Sequence, residues 1–409
     1  MNSPESRSWP AEGLTRIPYW VYQDEAVYAQ EQVRIFRGAT WTFLGLEAEV
    51  PQPGDYKTTF LGEMPVVLAR DDAGNLAAFE NRCAHRGALI VLKNAGNTRR
   101  FACIYHNWTY DLCGNLTGIP FRRGIDGQGG MPPDANPEAN SPRKLRVAAY
   151  HGLVFGTLSD ETPPIEEYFG GEIAERIRRV MKEPVKVLGG YSQMLANNWK
   201  LYLDNVKDTY HASLLHLFFT TFRLNRLEQK GGVIVGGDGG NHVSYTMART
   251  DAKATEYEKA GVRSASGYRL EAPELIESVD EFGDGITLQI LVVFPGFVLQ
   301  QIGNSLAVRQ VIPKGRGRTE LVWTCFGFEA DDEAMTRRRL RQANMIGPAG
   351  FISMEDGAAT GFVQRGVQAA RDQSAFVEMG GRGVGSDASR VNETSVRGLW
   401  QAWRRHMRI

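Results

Sequence analysis

The chain has 409 residues, 42% of them hydrophobic, and 47 Lys and Arg balance 47 Asp and Glu. That composition excludes disordered and fibrous classes and leaves room for two or three domains at roughly 100–200 residues each, while zero net charge leaves no excess positive field to attract nucleic acid or a membrane surface. The opening residues lack a basic then apolar leader, and the longest apolar stretch, Ile286 to Ile302, is broken by polar residues, Pro295 and Gly296, so a cytoplasmic protein is expected. Four cysteines in so long a chain cannot make a dense disulfide scaffold, and chemistry should explain any that matter.

Residues 1–40 read as a partly amphipathic helical segment, with Ala26, Val27, Ala29, Val33 and Phe36 among polar residues. Between 41 and 158 the pattern turns to short β-rich runs, such as Pro65 to Ala69, Leu76 to Phe79 and Leu153 to Phe155, parted by turn residues such as Asp71 to Asn75. This predicts a small all-β domain. The Pro-rich punctuation Ser159 to Pro164 marks the boundary. From there to 409 the pattern predicts a helix Ile165 to Met181, a helical region around 197–220, and strands within 232–235, 242–248, 285–293, 297–302, 306–312 and 320–328. A helix from about Asp332 to Ile346 and another starting near Ser353 follow. The expected class is therefore α+β, with helices flanking a mainly antiparallel sheet in this second part of the chain. No repeat or low-complexity tract is present.

Two clusters carry chemistry. In the first, Asn81-Arg82-Cys83-Ala84-His85-Arg86-Gly87 is followed by Cys103-Ile104-Tyr105-His106-Asn107-Trp108. Two Cys and two His in paired short loops suit one tetrahedral zinc, or a two-iron, two-sulfide cluster with both thiolates on one iron and both imidazoles on the other. Cys113 and Cys325 lie outside this skeleton and read as packing residues. The second cluster is Asp208-Thr209-Tyr210-His211 with His216. On a helix, Asp208 and His211 would share a face, whereas His211 and His216, five apart, would not, so both bind one ion only if the helix bulges or ends between them. Taken alone, the pair reads equally well as satisfied structural histidines. His151, His242 and His406 read as structural or exposed.

The C-x-H-R-G and C-x-Y-H-x-W pattern over about 41–158 resembles the Rieske domain, and together with D-x-x-H-x4-H in mid-chain it resembles the aromatic-ring-hydroxylating oxygenases over nearly the whole chain. The resemblance implies a Rieske [2Fe-2S] domain on Cys83, His85, Cys103 and His106. It also implies a catalytic domain of helix-grip (START-like) form whose mononuclear Fe(II) is held by His211, His216 and Asp356, with O2 as co-substrate. The carboxylate is taken from Phe351-Ile352-Ser353-Met354-Glu355-Asp356-Gly357, with Glu355 as a helix-terminal or packing residue. In such enzymes the N-terminal segment packs on the catalytic domain, and trimers place the cluster of one subunit beside the mononuclear iron of the next. That arrangement gives Asp208 the role of bridging His106 of one subunit and His211 of another. Because none of the glycine clusters of this chain has the context of a nicotinamide site, an NAD(P)H-dependent reductase is an expected partner, with a small β subunit in an α3β3 assembly, or α3 alone. The runs Phe294 to Ile302, Gly347 to Gly350 and Glu393 to Gly398 resemble the terephthalate-type members, with salicylate- and anthranilate-type members as alternatives. Arg309 and Arg390 match the arginines that hold an aromatic carboxylate substrate there. Arg309 shares a strand face with Ala307 and Val311, an apolar setting that suits a buried pocket. For Arg390 an ion pair with Asp387 or Glu393 is the competing reading.

Overall fold

The computed structural model describes residues 8–248, 255–262, 268–347 and 351–409. The chain forms two compact units, one of Phe36–Pro163 and one that joins the N-terminal residues up to Ile35 with Pro164–Ile409. Among the described residues no helix is long and apolar enough to cross a membrane.

In the smaller unit, a seven-stranded antiparallel sheet runs in the order Thr42–Leu46, Leu153–Thr157, Lys144–Tyr150, Leu76–Glu80, Met64–Arg70, Asp55–Leu61, Ala95–Asn97. A second, three-stranded sheet is built from Phe101–Ala102, Thr109–Tyr110 and Leu116–Gly118. Two-residue alternation fails where both faces are covered: every residue of Leu153–Thr157 is buried. The core of this unit gathers Val67, Phe79, Ile90, Phe101 and Tyr110 around the two thiols, Cys83 and Cys103.

The larger unit holds a second seven-stranded antiparallel sheet, ordered Val185–Leu195, Thr319–Phe328, Ser305–Pro313, Phe297–Ile302, Ile286–Val293, His242–Met247, Gly231–Val235. The helix Trp199–Lys207 packs on the strands Ile286–Val293 and Ser305–Pro313, and the helices Phe351–Val367 and Thr394–Met407 pack against it in turn. Asn198 caps the helix by accepting from Lys200 N, and seven of its nine residues, Trp199 to Leu203 with Val206 and Lys207, are buried, as in a helix enclosed by packing on several sides. Asn197 donates to Thr360 Oγ1 at 2.7 Å and Asn198 N to Gln364 Oε1 at 2.8 Å, which fixes this helix against Phe351–Val367.

The structure departs from the pattern reading in several places. Of the described part of the N-terminal segment only Glu25–Glu31 is α-helix, followed by a π turn at Gln32–Phe36. Pro18 closes a short strand, Arg16–Pro18, that pairs with Ser374–Phe376, and proline has no N–H with which to continue a helix. The helix expected at Ile165 to Met181 is divided into Ile165–Phe169 and Gly171–Val180 by Gly170 at φ 81°. The strand Val185–Leu195 and the helix Thr394–Met407 had no counterpart in the sequence reading. Part of the Gly347 to Gly350 run lies outside the described residues.

Candidate active site

Two loops of the smaller unit close in the same way. The N–H of Cys83 donates to Ala88 O (2.7 Å) and the N–H of Gly87 to Cys83 O (2.9 Å); likewise Cys103 N donates to Trp108 O (2.9 Å) and Asn107 N to Cys103 O (2.8 Å). Each closing residue is left-handed, Gly87 at φ 77° and Asn107 at φ 54°, a conformation open to glycine and tolerated by asparagine. The loops bring His85 Nδ1 to 3.1 Å from His106 Nδ1 and stack the His85 ring on Trp108 with centroids 4.6 Å apart. Both thiols are buried, whereas both imidazoles are partly open to solvent. Burial pushes the Cys103 thiol up and neighbouring Cys83 adds to it, so thiolate here calls for a compensating cation. Two adjoining thiols inside and two facing imidazoles outside suit a two-metal cluster better than one tetrahedral ion.

The second cluster forms where helical geometry stops. Trp199–Lys207 ends at Asp208, which has extended backbone (φ −75°, ψ 111°) and accepts from Tyr210 N at 2.7 Å. Asp208 and His211 thus meet through a turn and not through a shared helix face. His211 precedes the helical turn Ala212–Leu215, and His216 (φ −83°, ψ 83°) separates that turn from Leu217–Thr221. The break lets both imidazoles converge on Asp356, which lies buried on Phe351–Val367. One donor atom from each of His211, His216 and Asp356 falls within 4.8 Å of the others. His211 Nε2 is 3.5 Å and His216 Nε2 3.3 Å from Asp356 Oδ1.

Carboxylates back both rings. Asp208 Oδ2 stands 3.4 Å from His211 Nδ1, an ion-pair distance that leaves this buried nitrogen without a well-aligned hydrogen bond. Glu355 Oε2 accepts from His216 Nδ1 at 2.7 Å. Burial disfavours charge on His211, but Asp208 and Asp356 outweigh it and push its pKa up to about 10. His216 is raised in the same way against burial, by Asp356 and Glu355. Burial alone would raise Asp356, yet the two histidines hold it far below the usual carboxylate range. A pocket that draws positive charge to two imidazoles and one carboxylate fits a metal with open coordination positions.

Around this triad lies a small cavity of about 70 Å³ walled by Val206, Phe219, Leu288, Ile290, Ile302 and Ile352. Ser244, Thr246, Asn225, Arg309 and Arg390 supply its polar edges. Arg309 Nη1 donates to Tyr202 OH at 2.9 Å, another of its nitrogens meets Gln300 Oε1, and the guanidinium lies 4.3 Å over the Trp323 ring. Arg390 Nη1 donates to Asn225 Oδ1 at 2.5 Å and Nη2 to Arg226 O. Among the described residues neither arginine has a carboxylate within ion-pair distance, and each keeps a buried Nε–H without a partner.

Residues 40–128 match the Rieske [2Fe-2S] domain family and residues 173–409 the catalytic domain of the ring-hydroxylating alpha subunits. The chain belongs to the ring-hydroxylating oxygenase alpha subunits. It is similar to the alpha 2 subunit of the terminal oxygenase component of terephthalate 1,2-dioxygenase from Comamonas sp., at 57% identity over 98% of this chain and 97% of that one. The anthranilate 1,2-dioxygenase large subunit of Burkholderia cepacia is 43% identical over 98% of this chain and 95% of its own. The fold is that of naphthalene 1,2-dioxygenase from Rhodococcus sp. bound to indole, with TM-score 0.79 over 96% of this chain and 94% of that one at 22% identity.

As a member of this family the alpha subunit is an oxidoreductase with a Rieske cluster and a mononuclear iron. The residues named from sequence fall into the two clusters and the cavity just described, and the remaining candidates lie elsewhere. Cys325 is buried in Thr319–Phe328, and Cys113 is half-buried. His242 is buried in a strand with Nδ1 3.4 Å from Lys207 Nζ, and the His406 ring stacks on Phe294. His151 is exposed, at φ 50°. Three contacts escaped the sequence reading. Asn205 Nδ2 donates to Asp356 Oδ1 at 3.0 Å, Tyr202 holds Arg309, and Glu355 does not merely pack but binds His216.

Proposed function

We propose that this alpha subunit is the oxygenase component of a terephthalate 1,2-dioxygenase: the ring takes up both atoms of O2 with two electrons and two protons and becomes a cis-dihydrodiol. NAD(P)H supplies the electrons through a separate reductase. The carrying observation is a pair of buried arginines without acidic partners in the cavity that also holds the His211, His216 and Asp356 triad. The high identity to a terephthalate 1,2-dioxygenase alpha subunit supports the same reading. Cys83, Cys103, His85 and His106 would hold the cluster, and His211, His216 and Asp356 the mononuclear iron. When bound, that iron supplies the activation of O2, with electrons relayed one at a time by the cluster.

The chain's own residues do the rest. Arg309 and Arg390 bind the substrate's carboxylates, a task for which the planar guanidinium is suited because it donates two parallel hydrogen bonds. Desolvation has already lowered Arg390 to about pKa 10, and an incoming carboxylate relieves that cost. The aliphatic walls exclude water and hold the flat ring against the triad side of the cavity. Asp208 connects His211 to His106 of a neighbouring subunit in a head-to-tail α3β3 assembly, α3 being the alternative. The domains are the N-terminal segment 1–40 packing on the catalytic domain, the Rieske domain 41–158 and the catalytic domain 159–409, in a cytoplasmic protein.

Turnover of a panel of aromatic acids with the cognate reductase, under labelled O2 and with product identification, tests this. Terephthalate should be the best substrate, with both oxygen atoms retained. Arg309→Ala and Arg390→Ala should lose activity on it while keeping both metal centres, at a binding cost on the order of 2–5 kcal/mol each. Unchanged constants in both variants would overturn the dicarboxylate reading and favour a salicylate- or anthranilate-type ring.

A further inference from the structure

His216 occupies a point where the backbone leaves helical geometry, between the turns Ala212–Leu215 and Leu217–Thr221. The helix therefore does not orient its ring, and side-chain contacts must. The Phe219 ring packs edge-on at 5.7 Å and offers neither ring nitrogen a hydrogen-bonding partner. The directional contact is with Glu355, whose Oε2 lies 2.7 Å from Nδ1, while Nε2 on the far edge of the ring lies 3.3 Å from Asp356 Oδ1.

A neutral imidazole has one donor and one acceptor nitrogen, and a carboxylate at Nδ1 keeps the proton there. The Nε2 lone pair then faces the point where His211 Nε2 and Asp356 Oδ1 converge. We infer that Glu355 is the positioning residue of His216, setting its tautomer and ring orientation toward the mononuclear iron. Glu355 and Asp356 are consecutive on Phe351–Val367, and on a helix consecutive side chains diverge by about 100°, which lets the pair reach opposite edges of one ring. Glu355 also stands to His216 as Asp208 stands to His211, at 2.7 Å against 3.4 Å. An oxygen engaged at Nδ1 is on the wrong edge to share an ion with Nε2, so Glu355 does not compete with Asp356 as a ligand. The inference rests on His216 being an iron ligand. Carboxylates that hold a ligating imidazole in this way are worth roughly 10–100-fold in metal affinity.

The test uses the assembled, cluster-containing protein, stripped of mononuclear iron and titrated anaerobically with Fe(II) against a competing chelator. Glu355→Ala should bind Fe(II) ~10–100-fold more weakly than the parent. Glu355→Gln, whose amide oxygen still accepts from Nδ1, should lose less. In both, the Rieske absorption bands and the unfolding midpoint of the iron-stripped protein should match the parent's, which a merely structural role for Glu355 would not leave in place. Full affinity in Glu355→Ala, alongside lost binding in His216→Ala, overturns the inference. Complete loss of binding in Glu355→Ala also overturns it, making Glu355 a ligand. Full binding in His216→Ala shows instead that the ligand assignment is wrong.

Discussion

Asp208 is held by a turn: it ends its helix, accepts from Tyr210 N and leaves one oxygen 3.4 Å from His211 Nδ1. It lies on the ring edge away from Asp356 and, unlike Glu355 on His216, makes no well-aligned hydrogen bond to the ring, so Asp208→Ala should leave the mononuclear iron and the cluster largely loaded and nearly abolish turnover. Metal analysis with the Rieske spectrum checks this, and complete loss of the mononuclear iron would make Asp208 a ligand. At this scale the sequence was informative about residue types and silent about angles. The D-x-x-H-x4-H spacing singles out Asp208, His211 and His216, but the helix face assumed for the first two does not exist. The contacts from Asn205 and Glu355 join residues 151 and 139 positions apart in the chain. Local pattern does not record such pairings.

The helix Trp199–Lys207 is the element on which the site hangs, and its Asp204 shows how tightly it is packed. Burial raises this carboxyl to about pKa 7 although Tyr22 OH donates to it at 3.1 Å, and the charges of Asp208 and Glu393 push the same way as burial. The folded pKa lies above the unfolded value of roughly 3.9. The contribution to stability is therefore fully present below about pH 4 and is lost as pH rises to about 7. Asp204→Asn cannot ionise, so it should gain on the parent by on the order of 1–3 kcal/mol between pH 5 and 8. Thermal unfolding of both at the two pH values measures the gain, and a constant difference would refute the buried charge. Apolar, β-rich runs bounded by turn residues were legible, among them the five sheet strands from His242–Met247 to Thr319–Phe328 and the neighbouring Gly231–Val235. The strand Val185–Leu195 was not, because Gly189 and Gly190 interrupt its apolar pattern where the structure has a register shift within an edge strand. The helix Thr394–Met407 was hidden by its arginines, although Val396, Leu399, Trp400, Trp403 and Met407 form a buried stripe.

Across the whole molecule the two candidate ligand sets belong to different compact units, Cys83 to His106 in one and His211 to Asp356 in the other. His211→Ala, His216→Ala and Asp356→Ala should each lose mononuclear iron and keep the Rieske bands; loss of the bands in all three would show that the units do not fold independently. In the sequence the β-rich and helix-rich stretches are separated by the proline-rich punctuation before Pro164, which is also where the compact units divide, whereas the N-terminal residues belong to the larger unit through the pairing of Arg16–Pro18 with Ser374–Phe376, which local pattern does not record.

The two cysteine loops close alike, and this makes their closing positions equivalent. A Cβ at Gly87 would meet only Arg82 Cδ, at 4.0 Å, so dihedral angle and not space dictates the glycine. Asparagine already serves at the equivalent position, Asn107. Gly87→Asn and Asn107→Gly should therefore both keep the cluster bands and unfold within about 1 kcal/mol of the parent, while Gly87→Val should cost about 1–2 kcal/mol and shed its cluster earlier on heating. Equal behaviour of valine and asparagine at Gly87 would refute the dihedral argument. A rule for the closing position learned on one loop then transfers to the other, while the histidines, two residues after Cys83 and three after Cys103, keep the loops distinct inside that shared frame.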